Sequence, residues 1–258
     1  MWSSSNAAWK IAAVLAGPAL YTACSSATET NDAHRAIAET MASSVQIFTE
    51  RETGGRRAAS AVVLGESRNT HDWLIITAAH TFEPMVEQSI RVVVPPGRIA
   101  ADATLIATDS DRDLALLKAA IEEVEPVRFS QEAYLVDPIW VVAFPWGRDR
   151  TVVNGAVSQI HDLDEDRVRN GLHGPVKLID ASVSYGMSGG GVFDSRTGQL
   201  LGLVRGYRTA LVSLPDRADP LRIPVAGETT VVSSFEILCF LSEAVSYTHL
   251  TLPTKRIV

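Results

Sequence analysis

A chain of 258 residues, 46% hydrophobic and 21% charged, is long enough for one large all-β domain or two small lobes with a real core. Its formal net charge of −7 excludes the basic excess expected of a nucleic-acid binder. Two cysteines, Cys24 and Cys239, are too few for a disulfide framework and lack metal-ligand spacing, so neither a stapled scaffold nor a metal is expected.

The chain opens as an export signal. Lys10 supplies the positive flank, residues 11–20 a short apolar core, and Thr22-Ala23-Cys24-Ser25-Ser26 the small residues that accompany processing. Residues 1–27 are assigned to this signal and residues 28–42 to a tether. Tyr21-Thr22-Ala23-Cys24 resembles a bacterial lipobox, in which Cys24 would carry the lipid and attach the protein to a membrane. Tyr21 departs from the usual leucine there, and ordinary cleavage nearby or a retained anchor are the alternatives. Export to the periplasm or cell envelope is the expected destination. The body has no apolar run of about 18 residues, so no internal membrane span is expected.

Short β-branched runs then recur at residues 44–48, 61–64, 73–77, 90–94, 104–107 and 114–117, with turn residues between them. Such spacing points to a barrel or sandwich rather than βαβ units. Pro95-Pro96-Gly97 is a strong breaker. Residues 122–138 hold acids and prolines and read as a crossing to a second lobe. Runs resume at 139–143, 152–153, 156–160, 176–179, 191–193 and 200–204. Residues 235–244 are apolar with helical length and spacing. The charge run at 162–169 reads as a solvated loop. From Val245 to Thr254 the sequence looks like the translation of a transposase-type sequencing adapter, so residues 245–258 are expected to be non-native. The folded domain is placed at 43–244, with lobe one at about 43–121 and lobe two at about 139–234.

The chemistry centres on Gly186-Met187-Ser188-Gly189-Gly190-Gly191. A serine hydroxyl is a poor nucleophile unless a base takes its proton and donors hold the charge that develops on the substrate. Flanking glycines let backbone N–H groups converge on one point. The plain alternative is a glycine-rich turn with an incidental serine. Of six histidines, His34 lies in the tether, His249 in the tail, and His71, His161 and His173 in turns or loops. Only His80 directly follows a strongly apolar run, in Ile75-Ile76-Thr77-Ala78-Ala79-His80. Taken alone it could be a surface histidine at a strand end. A base also needs a carboxylate to orient it. Asp109, Asp111 and Asp113 cluster before Leu114-Ala115-Leu116-Leu117, and Asp113 borders that buried run most closely. A solvated acidic turn is the competing reading for all three.

Gly186-Met187-Ser188-Gly189-Gly190 also satisfies the Gly-x-Ser-x-Gly elbow of α/β-hydrolases, but that fold places its histidine after the serine. Here the order is His80, Asp113, Ser188. Thr77-Ala78-Ala79-His80, Asp113-Leu114-Ala115-Leu116-Leu117 and Gly186-Met187-Ser188-Gly189-Gly190 resemble the three motifs of trypsin-fold serine peptidases, HtrA/Deg-like branch. Ala143-Phe144-Pro145-Trp146-Gly147, Gly155-Ala156-Val157-Ser158 and Asp180-Ala181-Ser182 add lesser matches.

The resemblance implies an all-β chymotrypsin-like fold of two six-stranded antiparallel barrels with a short C-terminal helix. It implies acyl transfer onto Ser188, with His80 as base, Asp113 orienting it, and the N–H groups of Gly186 and Ser188 as oxyanion hole. Polypeptides are the implied substrates, with no metal or organic cofactor. Ser182 would lie at the base of a substrate pocket walled by Val204, Arg205 and Gly206, favouring small or aliphatic side chains. Digestive relatives carry an aspartate where Met187 stands, so their activation switch is not expected here. Activity would depend on the order of Tyr185-Gly186-Met187. No PDZ-type domain follows within this chain, and its oligomeric state is left open. The second reading of the whole is a non-catalytic trypsin-fold protein that binds extended peptides by strand addition.

Overall fold

The computed structural model describes residues 34–52, 54–67, 72–96, 99–161, 172–213 and 219–248, the side chains of 245–248 excepted. The export signal with Cys24, the charge run at 162–169 and the tail from residue 249 lie outside the described residues.

Residues 34–42 form a helix, α1. Ala36, Ile37, Thr40 and Met41 share one face at i, i+4 spacing. Ala36 and Thr40 are buried, and Ile37 and Met41 pack on the core between the lobes. From residue 34 onward the expected tether is therefore corrected to a docked helix.

Six strands close the first barrel: β1 Ser44–Arg51, β2 Arg56–Glu66, β3 Trp73–Thr77, β4 Gln88–Val94, β5 Ile99–Asp109 and β6 Leu114–Ala119. Their order around the barrel is β1-β2-β3-β6-β5-β4, and every pairing is antiparallel. Alternation of side chains along a strand, with both faces covered, explains the apolar stretches Ala61 to Leu64 of β2, Leu74 to Ile76 of β3 and Leu114 to Leu117 of β6. Val63, Ile75 and Leu117 point into the barrel. Their neighbours Val62, Leu74, Ile76, Leu114 and Leu116 point the other way, into a second apolar cluster shared with lobe two.

The second barrel comprises β8 Pro138–Ala143, β9 Thr151–Ile160, β11 Val176–Asp180, β12 Gly191–Asp194, β13 Leu200–Val212 and β14 Leu221–Ser233, closed in the order β11-β14-β13-β12-β8-β9. Two strands of two residues each, β7 Ala133–Tyr134 and β10 His173–Gly174, pair beside it. The barrel count of six agrees with expectation, but its membership does not. The runs at 152–153 and 156–160 belong to one strand, β9, and the sixth strand is β14. The first half of β14 lies largely exposed in a two-stranded arm with the end of β13, where Thr209 to Val212 pair with Pro224 to Leu221. Leu221, Ile223 and Val225 do alternate with Arg222 and Pro224 there, but Pro224 and Gly227 read as breakers.

The C-terminal helix α2, Ser234–Thr248, starts on a capping box. Glu236 Oε2 accepts from the Ser233 N–H and hydroxyl, both at 2.8 Å. Ile237, Phe240, Leu241 and Ala244 of α2 enter the cluster that holds Val62 and Leu116 of lobe one and Phe193 and Leu203 of lobe two. One apolar seam thus fixes the lobes to each other.

Candidate active site

Register brings His80 and Asp113 together. β3 pairs with β6 so that Thr77 stands opposite Ala115. Three residues beyond Thr77 the chain turns through a 3-10 helix, Ala79–Phe82, which carries His80. Two residues before Ala115 lies Asp113, with φ +60, a left-handed conformation that Asp tolerates better than most residues. The Ala79 N–H donates to the Asp113 carbonyl at 3.2 Å, and the His80 N–H donates to Asp113 Oδ1 at 2.9 Å. His80 Nδ1 lies 2.8 Å from Asp113 Oδ2. The aspartate side chain is 8% exposed and the histidine 43%, so the carboxylate is shielded while the ring faces solvent. A carboxylate at Nδ1 fixes the tautomer that leaves Nε2 free to accept a proton.

Ser188 lies in the turn between β11 and β12. It and His80 line one groove of about 380 Å³, formed by residues of both lobes. No hydrogen bond joins the His80 ring to the Ser188 hydroxyl among the described residues. Lobe one reaches the serine through Ser60 on β2. The Ser60 N–H donates to the Ser188 carbonyl at 2.9 Å. The Ser60 hydroxyl donates to the Gly186 carbonyl at 2.8 Å and accepts from the Phe144 N–H at 2.8 Å. Ser60 is fully buried, so it satisfies three polar groups that water cannot reach.

The orientation of the two amides follows from trans peptide planes, in which C=O and N–H point opposite ways. The Tyr185 carbonyl accepts from the Trp146 N–H at 2.7 Å, so the Gly186 N–H points away from the 144–147 loop. The Met187 carbonyl accepts from the Gly190 N–H at 2.9 Å, so the Ser188 N–H is turned off that bond as well. Neither N–H has an acceptor among the described residues. Gly186 sits at φ +88, and a Cβ there would stand 2.8 Å from both the Phe144 carbonyl and the Trp146 nitrogen. Gly189, at φ +77, lies still tighter, with the Ser60 carbonyl 2.2 Å from its would-be Cβ. Only glycine fits either place.

Met187 is buried in the second barrel's core, and its Sδ accepts from the Ser184 N–H at 3.2 Å. Packing therefore anchors the loop at the position where an aspartate stands in digestive relatives. Trp146, at φ +57 and 63% exposed, lies against Tyr185 with ring centroids 5.5 Å apart.

Of the expected pocket residues, Val204, Arg205 and Gly206 line the groove. Ser182 does not. It is exposed, and the groove wall on that side is Val183 and Ser184. No direct mark in the sequence points to Ser60 or to Arg57, the latter a groove residue on β2, while Trp146 enters there only within a lesser motif match. A faint signal existed for Ser60: the run Ala58-Ala59-Ser60-Ala61 is small enough to admit another loop's backbone. Among the described residues no cluster of three or more His, Cys, Asp or Glu side chains is placed to hold a metal.

The profile of the trypsin-like peptidase domain family matches residues 59–203, more than half of the sequence. The chain belongs to the trypsin-like peptidase family. By class this peptidase is a serine-type endopeptidase. Its fold is similar to that of a serine endoprotease from Yersinia pestis, with a TM-score of 0.61 and 18% identity over 83% of this chain and 66% of that one. The peptidase is also similar to Rv3671c from M. tuberculosis H37Rv, solved as a serine-to-alanine mutant in an inactive form. There the TM-score is 0.58 and the identity 20%, over 86% of this chain and 93% of that one. No curated protein matches the sequence.

Proposed function

We propose that the protein hydrolyses peptide bonds through an acyl-enzyme. Ser188 attacks the scissile carbonyl, His80 takes the hydroxyl proton and returns it to the leaving amine, and Asp113 holds the ring for both transfers. The N–H groups of Gly186 and Ser188 receive the oxyanion. The observation that carries this reading is the Asp113–His80 pair at 2.8 Å, opening on the groove that Ser188 lines. The amides at 186 and 188 support it, because with no protein acceptor they remain donors beside the groove for the charge that develops there. The mature protein would act on extended polypeptides after export, in envelope protein quality control or secreted proteolysis. Lipid attachment at Cys24 would hold it at a membrane.

Treatment with a fluorophosphonate probe tests the chemistry. Ser188 should be labelled, and Ser188→Ala should abolish both labelling and peptide cleavage. One observation favours the second reading, a peptide-binding protein without turnover: the missing hydrogen bond between His80 and Ser188. An unlabelled wild type at every pH from about 6 to 9, where a histidine base is poised, would decide for it.

A further inference from the structure

The groove carries cations on both of its lobes and no carboxylate among its described lining residues. On lobe one, Arg57 is partly buried and donates through Nη1 to the His80 carbonyl at 3.1 Å and to the Thr81 carbonyl at 3.5 Å. Those partners are neutral, and no acid pairs with Arg57 among the described residues. On lobe two, Arg205 places Nε 3.7 Å from Asp113 Oδ2 and donates through Nη2 to the Asp111 carbonyl at 3.4 Å. Its side chain remains 49% exposed. Asp113 is already committed to two bonds with His80, so it compensates Arg205 only in part. The chain as a whole is acidic, at −7, which makes a cationic groove a local feature rather than a reflection of composition.

These two charges have a consequence for turnover. His80 becomes positive when it takes the serine proton. Arg57 touches the His80 backbone, and Arg205 lies beside the carboxylate that the ring bonds. Two like charges oppose the one that appears in the transition state. A substrate carboxylate on either guanidinium would remove that opposition and add a charge-assisted hydrogen bond.

We propose that the groove selects acidic polypeptide segments, with Arg57 and Arg205 each taking an Asp or Glu side chain of the substrate. The two cations stem from the two strands that hold the serine loop. β2 meets Ser188 through the Ser60 amide, while β13 meets Gly189 through the Val204 carbonyl, which accepts the Gly189 N–H at 2.8 Å. A peptide lying in the groove beside Ser188 thus meets Arg57 from β2 and Arg205 from β13. This proposal rests on the groove being a polypeptide site, and its test separates selection from turnover.

The test uses one neutral peptide in which a single Glu, with Gln as isosteric control, is walked from three residues before to three residues after the cleaved bond. Two separated positions should show a Glu-over-Gln preference in kcat/KM of about fivefold to tenfold, the range of a partly screened hydrogen bond to a charged group. Arg57→Gln should bring one position to within about twofold of unity, the scale of an unassisted contact, and Arg205→Gln the other. A ratio near unity at every position, or preferences indifferent to Arg57, overturns the proposal while leaving the peptidase intact. Binding of the same peptides to Ser188→Ala, followed by fluorescence anisotropy, gives a readout without chemistry. Tighter binding of the Glu peptides there supports acidic selection even if the wild type cleaves nothing, and equal binding overturns it.

Discussion

Asp113 grips His80 at two points, its Oδ2 2.8 Å from the ring Nδ1 and its Oδ1 accepting the backbone N–H of the same residue at 2.9 Å. The carboxylate therefore fixes the turn that carries the ring as well as the ring itself. Asp113→Asn keeps a side chain that tolerates the left-handed φ of +60, so the fold should survive. An amide nitrogen facing Nδ1 would favour the wrong tautomer. Peptide cleavage should drop by about 10⁴ in kcat with an unchanged circular dichroism spectrum. Retention of more than about a tenth of the rate would remove Asp113 from the mechanism.

Ser60→Ala separates positioning from catalysis. The substitution leaves the buried Phe144 N–H without an acceptor and releases the Gly186 carbonyl. Denaturant unfolding should show a loss of about 1–3 kcal/mol, the cost of an orphaned buried polar group. Because the released carbonyl belongs to the peptide after Gly186, kcat should fall more than KM changes. An unaltered rate in a destabilised protein would confine Ser60 to stability.

Gly186→Ala places a Cβ 2.8 Å from the Phe144 carbonyl at a φ that L-residues avoid. The 185–186 peptide must then rotate and withdraw its N–H from the groove. Loss of one oxyanion donor lowers kcat by about 10²–10³. Single-turnover acylation measured beside thermal melting distinguishes this from unfolding, since a merely less stable protein would acylate at the normal rate below its transition.

Acid should loosen the C-terminal helix. Arg112, next to Asp113, pairs with Glu243 of α2 at 2.8 and 3.0 Å and with Asp109 at 2.9 Å. The hydrogen bond from Arg112 holds the Glu243 carboxyl below its ordinary value of 4.5, with Coulomb attraction to the same guanidinium adding to it and burial and the Asp109 charge opposing. A group lowered in the folded state stabilises above its unfolded value and loses that contribution as pH falls through the folded one. The melting temperature should therefore decline below about pH 4.5 more steeply in the wild type than in Glu243→Gln. Parallel declines would show that the pair contributes nothing.

The first barrel was legible because the middles of β2, β3 and β6 bury both faces and so show short apolar runs, 61–64, 74–76 and 114–117. β14 escaped because its first half stands in solvent on the arm, with Pro224 and Gly227 interrupting it. His80, Asp113 and Ser188 were visible through residues next to them in sequence. Ser60 was not, because its work is a contact spanning 126 positions, to Gly186, which no local pattern encodes. Nothing in the sequence marks which way the loop at Ser182 turns its side chain, and it stands exposed, outside the groove lining.

The last helix closes the seam between the barrels, with Phe240 and Leu241 wedged among side chains of both. Every side chain of that helix that leaves the seam uncovers apolar surface of lobe one and lobe two together. Damage to α2 would therefore reach both walls of the groove, however far from Ser188 it begins.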